Sequence, residues 1–62
     1  MKYVYDGPVS DGTKELARNW YGETTADSMA KAKNNLKYQF NRRYNRAPYC
    51  IAEFDENKIK KY

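Results

Sequence analysis

Residues 28–48, SMAKAKNNLKYQFNRRYNRAP, contain the helical pattern of this 62-residue sequence. Ser28 is a favourable N-cap residue, because its hydroxyl can accept a hydrogen bond from the first turn of a helix. Apolar side chains then recur at spacings of three or four: Met29, Ala32, Leu36, Phe40 and Tyr44. Ala47-Pro48 ends the pattern, since the residue before a proline avoids helical geometry. The sequence therefore predicts a helix from residue 29 to about residue 46, with one face buried.

A β-hairpin is predicted before this helix. Two extended runs, residues 3–9 and 14–23, flank Asp11-Gly12, and Asp-Gly is a strong signal for a two-residue turn. Such a turn pairs Tyr3 with Trp20, although a bulge at Gly7-Pro8 would shift the register by one residue. In the unshifted register the buried face carries Tyr3, Tyr5, Leu16, Arg18 and Trp20. The open face then includes Lys2, Asn19 and Tyr21, which form a weaker candidate surface.

Two short strands are predicted after the helix. Residues 49–54 are apolar enough for a third strand, and residues 58–60 form a short fourth strand after the polar turn at 55–57. The phase of the third strand stays open: either Tyr49 and Ile51, or Cys50, Ala52 and Phe54, face the helix. These elements predict one α+β domain over residues 1–62. It is a two-layer ββαβ or ββαββ arrangement, in which one helix packs across a three- or four-stranded sheet.

Aromatic residues dominate the apolar part of the sequence. Ten residues are Tyr, Phe or Trp, whereas Leu, Ile and Val together number six. So few aliphatic residues are typical of disordered chains only when the net charge is also high, and +4 over 62 residues is modest. We therefore expect an ordered domain whose core is built from aromatic rings.

The residue inventory excludes several kinds of chemistry. The chain has no His and a single Cys, Cys50, so imidazole catalysis, an internal disulfide and a multi-thiolate zinc site are all absent. Its three glycines form no phosphate-binding loop. Glu53 and Asp55 could in principle hold Mg²⁺ or act as an acid-base pair, but residues 55–57 have the composition of a solvated turn. We expect no enzymatic activity, no metal and no cofactor.

The cellular location follows from similar exclusions. No apolar run resembles a signal peptide, and none approaches the length of about 18 residues that a membrane span requires. A small chain with one thiol suits a reducing compartment. The sequence thus predicts a cytoplasmic protein that does not bind membranes.

Positive charge is concentrated on the predicted helix. Residues 27–46 contain six Lys or Arg and one Asp, a balance of +5, whereas residues 1–26 sum to −1 and residues 47–62 to zero. At 100° per residue, Tyr38 lies opposite the apolar stripe, with Lys31 and Arg42 on the same side. An exposed aromatic ring among cations can stack on bases or sugars while the cations hold phosphates. The predicted nucleic-acid-binding residues are Lys31, Lys37, Tyr38, Arg42, Arg43 and Arg46.

Two structural explanations compete with this interpretation. Tyr38 could simply cover the aliphatic stems of Lys31 and Arg42 on an ordinary solvated helix. Cations at a helix C-terminus also offset the negative end of the helix dipole without any ligand, each contributing about 0.3–1 kcal/mol. Arg42, Arg43 and Arg46 nevertheless exceed what that role requires, and guanidinium groups suit bidentate contact with phosphate.

The segment that enters the helix resembles known basic proteins. Trp20-Tyr21-Gly22-Glu23 is followed by Ala26, Ser28 and Lys31-Ala32-Lys33, and this resembles small basic proteins of phages and mobile elements. It is also similar to the AP2-like arm-binding domains of tyrosine recombinases, which lay a three-stranded sheet in the DNA major groove and back it with one helix. The resemblance covers residues 14–44 and implies a DNA-binding role. Those domains place three strands before the helix and this chain two, so no functional residue is carried over.

The sequence predicts a small nucleic-acid-binding module of phage or mobile-element type, with DNA favoured over RNA as the partner. The alternative is a protein-binding regulator or inhibitor that uses an aromatic and Arg-rich surface against an acidic protein surface, since Tyr, Trp and Arg are enriched at interface hot spots. In either case we expect a monomer or a weak homodimer.

Overall fold

A long antiparallel hairpin forms most of the sheet. In the computed structural model, which describes all 62 residues, strand β1 spans Lys2–Asp11 and strand β2 spans Lys14–Thr25. The turn between them contains Gly12 at a φ of 63°. Glycine adopts this left-handed conformation without the steric cost that a Cβ atom would impose.

The register of the hairpin differs from the predicted one. Asp11 pairs with Lys14, so the two turn residues are Gly12-Thr13 and the turn lies one residue later than the sequence indicated. The predicted pairing of Tyr3 with Trp20 is therefore wrong. Tyr3 instead pairs with Thr24, which lies four positions after Trp20 on β2.

A bulged region in the middle of β1 enlarges this shift. The register slips between Gly7 and Val9 and again between Val9 and Ser10. Pro8 lies in this region, and a residue without an N–H is tolerated where ladder pairing is interrupted. As a result Arg18, predicted on the core face, has a side chain that is 92% exposed. The placement of Arg18 in the core was wrong.

One helix, α1, spans Met29–Arg43 and begins as the sequence predicts. The Oγ atom of Ser28 accepts a hydrogen bond from the backbone N–H of Lys31 at 3.2 Å, which confirms the N-cap. The predicted stripe is buried at its centre, at Ala32, Leu36 and Phe40, while Met29 and Tyr44 at its two ends are exposed.

The helix ends three residues earlier than predicted, and not because of the proline. Asn45 has a φ of 56°, and asparagine tolerates this left-handed conformation better than most residues. Its N–H donates to the Arg42 carbonyl at 3.3 Å, and the N–H of Arg46 donates to the Asn41 carbonyl at 2.7 Å. These two bonds form a Schellman motif, which satisfies the last carbonyls of the helix.

Two short strands complete the sheet along the edge of β1 that β2 leaves free. Strand β3, Glu53–Phe54, pairs with Val9 and Ser10, and strand β4, Ile59–Lys61, pairs with the segment from Tyr3 to Tyr5. A single 3-10 turn, Glu56–Lys58, joins them. All pairings are antiparallel, and the predicted α+β fold with one helix against a four-stranded sheet is confirmed.

The third strand is much shorter than predicted. Before Ala52 the chain makes a turn in which the N–H of Cys50 donates to the Ala47 carbonyl at 3.0 Å, so residues 49–52 are not a strand. Ala52 is buried, whereas Tyr49 and Ile51 are exposed. Of the two phases that the sequence leaves open, the structure thus has the one in which Ala52, and not Tyr49 or Ile51, faces the core.

The core is built largely from rings. Trp20 meets Phe40 edge to face with ring centroids 5.4 Å apart, and Tyr5 meets Phe54 in the same way at 5.0 Å. Edge-to-face geometry sets the positive ring edge against the negative ring face and adds to the free energy gained by burial. The buried cluster comprises Tyr3, Tyr5, Val9, Trp20, Ala32, Leu36, Phe40, Ala52 and Ile59.

Candidate nucleic-acid interface

Tyr38 lies on the solvent side of α1, as the helical spacing predicts. Its side chain is 52% exposed and makes no hydrogen bond. Arg42 follows one turn later, and residues four apart are neighbours on a helix surface. The ring and the guanidinium group line one shallow cavity of about 200 Å³ together with Arg46 and Pro48. Three of the six predicted residues thus meet at one place.

The other three predicted residues do not line this cavity. Lys31 is near the start of the helix, where its Nζ atom lies 3.2 Å from a carboxylate oxygen of Asp27. Lys37 is on a different flank and lines a second cavity with Lys33 and Glu53. Arg43 is exposed at the last position of α1.

The lysines and arginines of the helix differ in their ion pairing. Lys31 pairs with Asp27, and Lys33 pairs with Glu56 across the interface with the C-terminal turn at 2.6 Å. Lys37, Arg42 and Arg43 form no ion pair and no side-chain hydrogen bond within the protein. A free cation releases more binding energy on meeting a phosphate, because no internal partner must first be given up.

Arg46 differs from the other predicted residues because its guanidinium group is engaged within the fold. Nη1 donates to Asn41 Oδ1 at 2.9 Å and Nη2 donates to the Ile51 carbonyl at 3.1 Å. Nη2 also lies 3.8 Å from a carboxylate oxygen of Asp11, and the group sits 5.8 Å from the centroid of the Phe40 ring. Arg46 therefore forms a wall of the cavity and holds the chain that follows the helix.

Sequence reasoning missed Asn41, the one buried polar residue. Its Nδ2 atom donates to the carbonyls of Pro48 at 3.3 Å and Cys50 at 2.9 Å, and its Oδ1 accepts from Arg46. At 100° per residue Asn41 lies well away from the apolar stripe, and the loop that buries it has no periodic pattern. No local signal in the sequence points to this role.

Two other groups considered from the sequence have structural partners. Oε1 of Glu53 accepts from the N–H of Gly12 at 3.0 Å, which ties the hairpin turn to β3. Oδ1 of Asp55 accepts from the N–H of Asn57 at 3.0 Å and caps the 3-10 turn. The two carboxylates thus stabilise backbone turns, in keeping with the solvated-turn interpretation.

No protein-family model, no characterised protein and no solved structure matches this chain. The resemblance to AP2-like domains therefore stays a prediction. No helix of the chain combines the length and the apolar character needed to cross a membrane.

Proposed function

We propose that this protein binds nucleic acid, with DNA favoured over RNA, through the outer face of α1. The observation that carries this proposal is the exposed Tyr38 ring one turn from Arg42, a guanidinium group without an internal partner. Arg42 would contact phosphate, and Tyr38 would pack against a sugar of the duplex backbone. Lys31, Lys37 and Arg43 would add phosphate contacts around them.

Charge distribution supports the same surface. Residues 27–46 have a net charge of +5, whereas the rest of the chain has a net charge of −1. Charge concentrated on one element steers a polyanion to that side of the molecule, and the phosphate backbone supplies most of the binding free energy of basic proteins. Arg46 contributes to the field around the cavity, but we assign its guanidinium group a structural role.

Salt dependence of binding tests this proposal. Fluorescence anisotropy would measure the affinity for labelled duplex DNA, single-stranded DNA and duplex RNA at several salt concentrations. Four cations, Lys31, Lys37, Arg42 and Arg43, imply a log-log salt slope of roughly −3.6 for duplex DNA, from about −0.9 per phosphate neutralised. Absence of detectable duplex binding at low salt would contradict the proposal.

We further propose that the protein acts in the cytoplasm as an accessory DNA-binding protein of a phage or mobile element. The small size, the single free thiol and the resemblance of the segment entering α1 support this setting. Expression in a bacterial host, followed by crosslinking and sequencing of bound DNA, would test it. Recovery of no DNA above background would count against it.

Three exposed apolar side chains near the end of the helix favour protein binding as the second candidate function. Tyr49 is 84% exposed, and Ile51 and Tyr44 also point to solvent beside the loop that Asn41 holds. Exposed aromatic residues on a fixed loop suit an interface hot spot. A pull-down from nuclease-treated host lysate separates the two functions, because a protein partner survives the treatment and one bridged by DNA does not.

A further inference from the structure

The face of the sheet opposite the helix contains the largest cavity of the protein, about 740 Å³. Two tyrosines, Tyr21 on β2 and Tyr62 after β4, lie at its sides, and Val4 of the central strand β1 lies between them. Lys58 and Lys60 also line it. This face is separate from the helix surface, because the sheet lies between the two.

The strand register determines how the two rings are spaced. Tyr21 pairs with Asp6, and the N–H of Tyr62 donates to the Lys2 carbonyl at 2.7 Å, so the tyrosines lie on opposite edges and four residues apart along β1. Two inter-strand steps and four residues of rise place their Cα atoms about 16 Å apart. The rings are thus far enough apart to contact different units of an extended ligand.

Tyr21 is oriented before any ligand arrives. Its hydroxyl donates to Oε2 of Glu23, and the other oxygen of that carboxylate lies 2.8 Å from Nζ of Lys2. The hydrogen bond to Glu23 raises the pKa of the Tyr21 hydroxyl, so the proton stays in place. The Tyr21 residue nevertheless remains 58% exposed. The ring is thus held in position by its hydroxyl while much of the residue stays open to solvent.

The free charges on this face are mainly positive. Lys2 offsets Glu23, and neither Lys58 nor Lys60 has an acidic partner within ion-pair distance. Asp6 is the remaining carboxylate that lines the cavity, and it too has no ion-pair partner. Two unpaired ammonium groups beside exposed rings match a ligand that alternates phosphates with flat bases.

We propose that the open face of the sheet binds a single-stranded stretch of nucleic acid, with bases stacked on Tyr21 and Tyr62 and phosphates near Lys58 and Lys60. In a duplex the bases already stack on one another, so their flat faces are not available to these rings. A protein partner fits less well, since Val4 is the one aliphatic side chain lining the cavity and interface cores are apolar. This is a second site on the side of the molecule opposite to α1.

Anisotropy titration with a short labelled oligo(dT), which cannot pair with itself, tests this site. Tyr21→Leu and Lys60→Gln should each weaken binding, the first by at least about fivefold if one stacked base is lost. Tyr49→Leu is the control, because it removes a ring that is even more exposed, 84% against 58%, and that lines neither cavity, so it should change nothing. Asp6→Asn removes the repelling carboxylate and should tighten binding. Circular dichroism would verify that each variant is folded.

The outcomes also separate this site from the helix surface. Two neutralised phosphates predict a salt slope near −1.4 for oligo(dT), from about −0.7 each, which is much shallower than the slope for duplex DNA. Arg42→Ala should leave oligo(dT) binding unchanged. Binding that is absent at low salt, or that Arg42→Ala removes while Tyr21→Leu does not, would overturn the sheet site. If the protein binds oligo(dT) but not duplex DNA, only the helix site is overturned.

Discussion

Arg46 donates a hydrogen bond from Nη1 to Oδ1 of the buried Asn41 at 2.9 Å, and this pair fixes the chain after the helix. The Asn41 amide holds the carbonyls of Pro48 and Cys50, while the Arg46 guanidinium reaches the Ile51 carbonyl and Asp11. The helix end, the following loop and the hairpin turn are thereby joined through two side chains.

We expect Asn41→Ala to lower the free energy of unfolding by about 2–3 kcal/mol. The substitution leaves two loop carbonyls and the Arg46 guanidinium without their partner, and unsatisfied buried polar groups carry a desolvation penalty. Urea denaturation followed by far-UV circular dichroism would measure it. Asn34→Ala is the control on the same helix, since Asn34 is exposed and makes no side-chain hydrogen bond. An equal change in both variants would show that the Asn41 network contributes nothing.

Local patterns were sufficient to predict the elements that depend on nearby residues. The cap at Ser28 and the buried centre of the stripe at Leu36 follow from spacing and side-chain chemistry alone. The end of the helix did not follow, because it depends on Asn45 adopting a positive φ that the sequence permits but does not require. Asp11-Gly12 and Gly12-Thr13 are both feasible turns by composition, and the structure has the second, in which the N–H of Gly12 donates to Glu53 of β3.

In the candidate site, too, some residues could be predicted from the sequence and others could not. Tyr38 and Arg42 occupy the outer face that helical periodicity predicts, so their proximity was foreseeable. Arg46 extends the cluster in sequence, but beyond the Schellman turn the chain no longer follows the helix. Its guanidinium group contacts Asn41, the Ile51 carbonyl and Asp11. These contacts depend on how the loop and the hairpin turn pack, so no local sequence pattern predicts them.

Gly22 leaves room for the Trp20 ring against β2, and we expect Gly22→Ala to disturb that packing. A Cβ atom at this position would lie 2.4 Å from Cη2 of Trp20 and 3.1 Å from Cδ2 of Leu36, and the Trp20 ring also packs edge to face against Phe40. Overpacking of this kind costs about 1–3 kcal/mol. Because Trp20 is the single tryptophan, its fluorescence emission should shift to longer wavelength in the variant.

Gly12→Ala provides the comparison for this prediction. A Cβ atom there meets nothing within 4 Å, and the cost comes from the positive φ alone, about 1 kcal/mol. Trp20 emission should therefore stay unchanged in Gly12→Ala. If both variants leave the emission unchanged, the contact between Trp20 and Gly22 is not as tight as the structure has it.

The ionisation of Tyr21 depends on Glu23, and we expect Glu23→Ala to lower the pKa of the Tyr21 hydroxyl toward its ordinary value. The hydrogen bond to the carboxylate is the main cause of the raised pKa, and it disappears in the variant. Ring chemical shifts of Tyr21, followed by NMR through alkaline pH, would measure the change. Glu15→Ala removes another carboxylate from β2 and should leave the Tyr21 titration unchanged; an unaltered titration in Glu23→Ala would contradict the assignment.

The same contacts set the direction of the pH dependence of stability. The pKa of Glu23 is lowered, chiefly by its hydrogen bond with Lys2. Its contribution to folding stability is therefore present above the ordinary pKa of 4.5 and is lost as pH falls through the folded-state pKa. The pKa of Tyr21 is raised, so its contribution is present below the ordinary value of 10.0 and is lost as pH rises through the folded-state pKa. In Glu23→Ala the free energy of unfolding, measured by urea denaturation, should therefore depend less on pH in both the acidic and the alkaline range.

The affinity of Arg42→Ala for duplex DNA at low salt, compared with that of Arg18→Ala, tests the proposed helix surface most directly. Both variants remove one exposed arginine and the same charge, but Arg18 lies on the hairpin, away from Tyr38. We predict that Arg42→Ala weakens binding at least about fivefold and makes the salt slope shallower by about 0.9, whereas Arg18→Ala changes neither appreciably. Equal weakening by the two variants, or no effect of Arg42→Ala, would contradict binding through the outer face of α1.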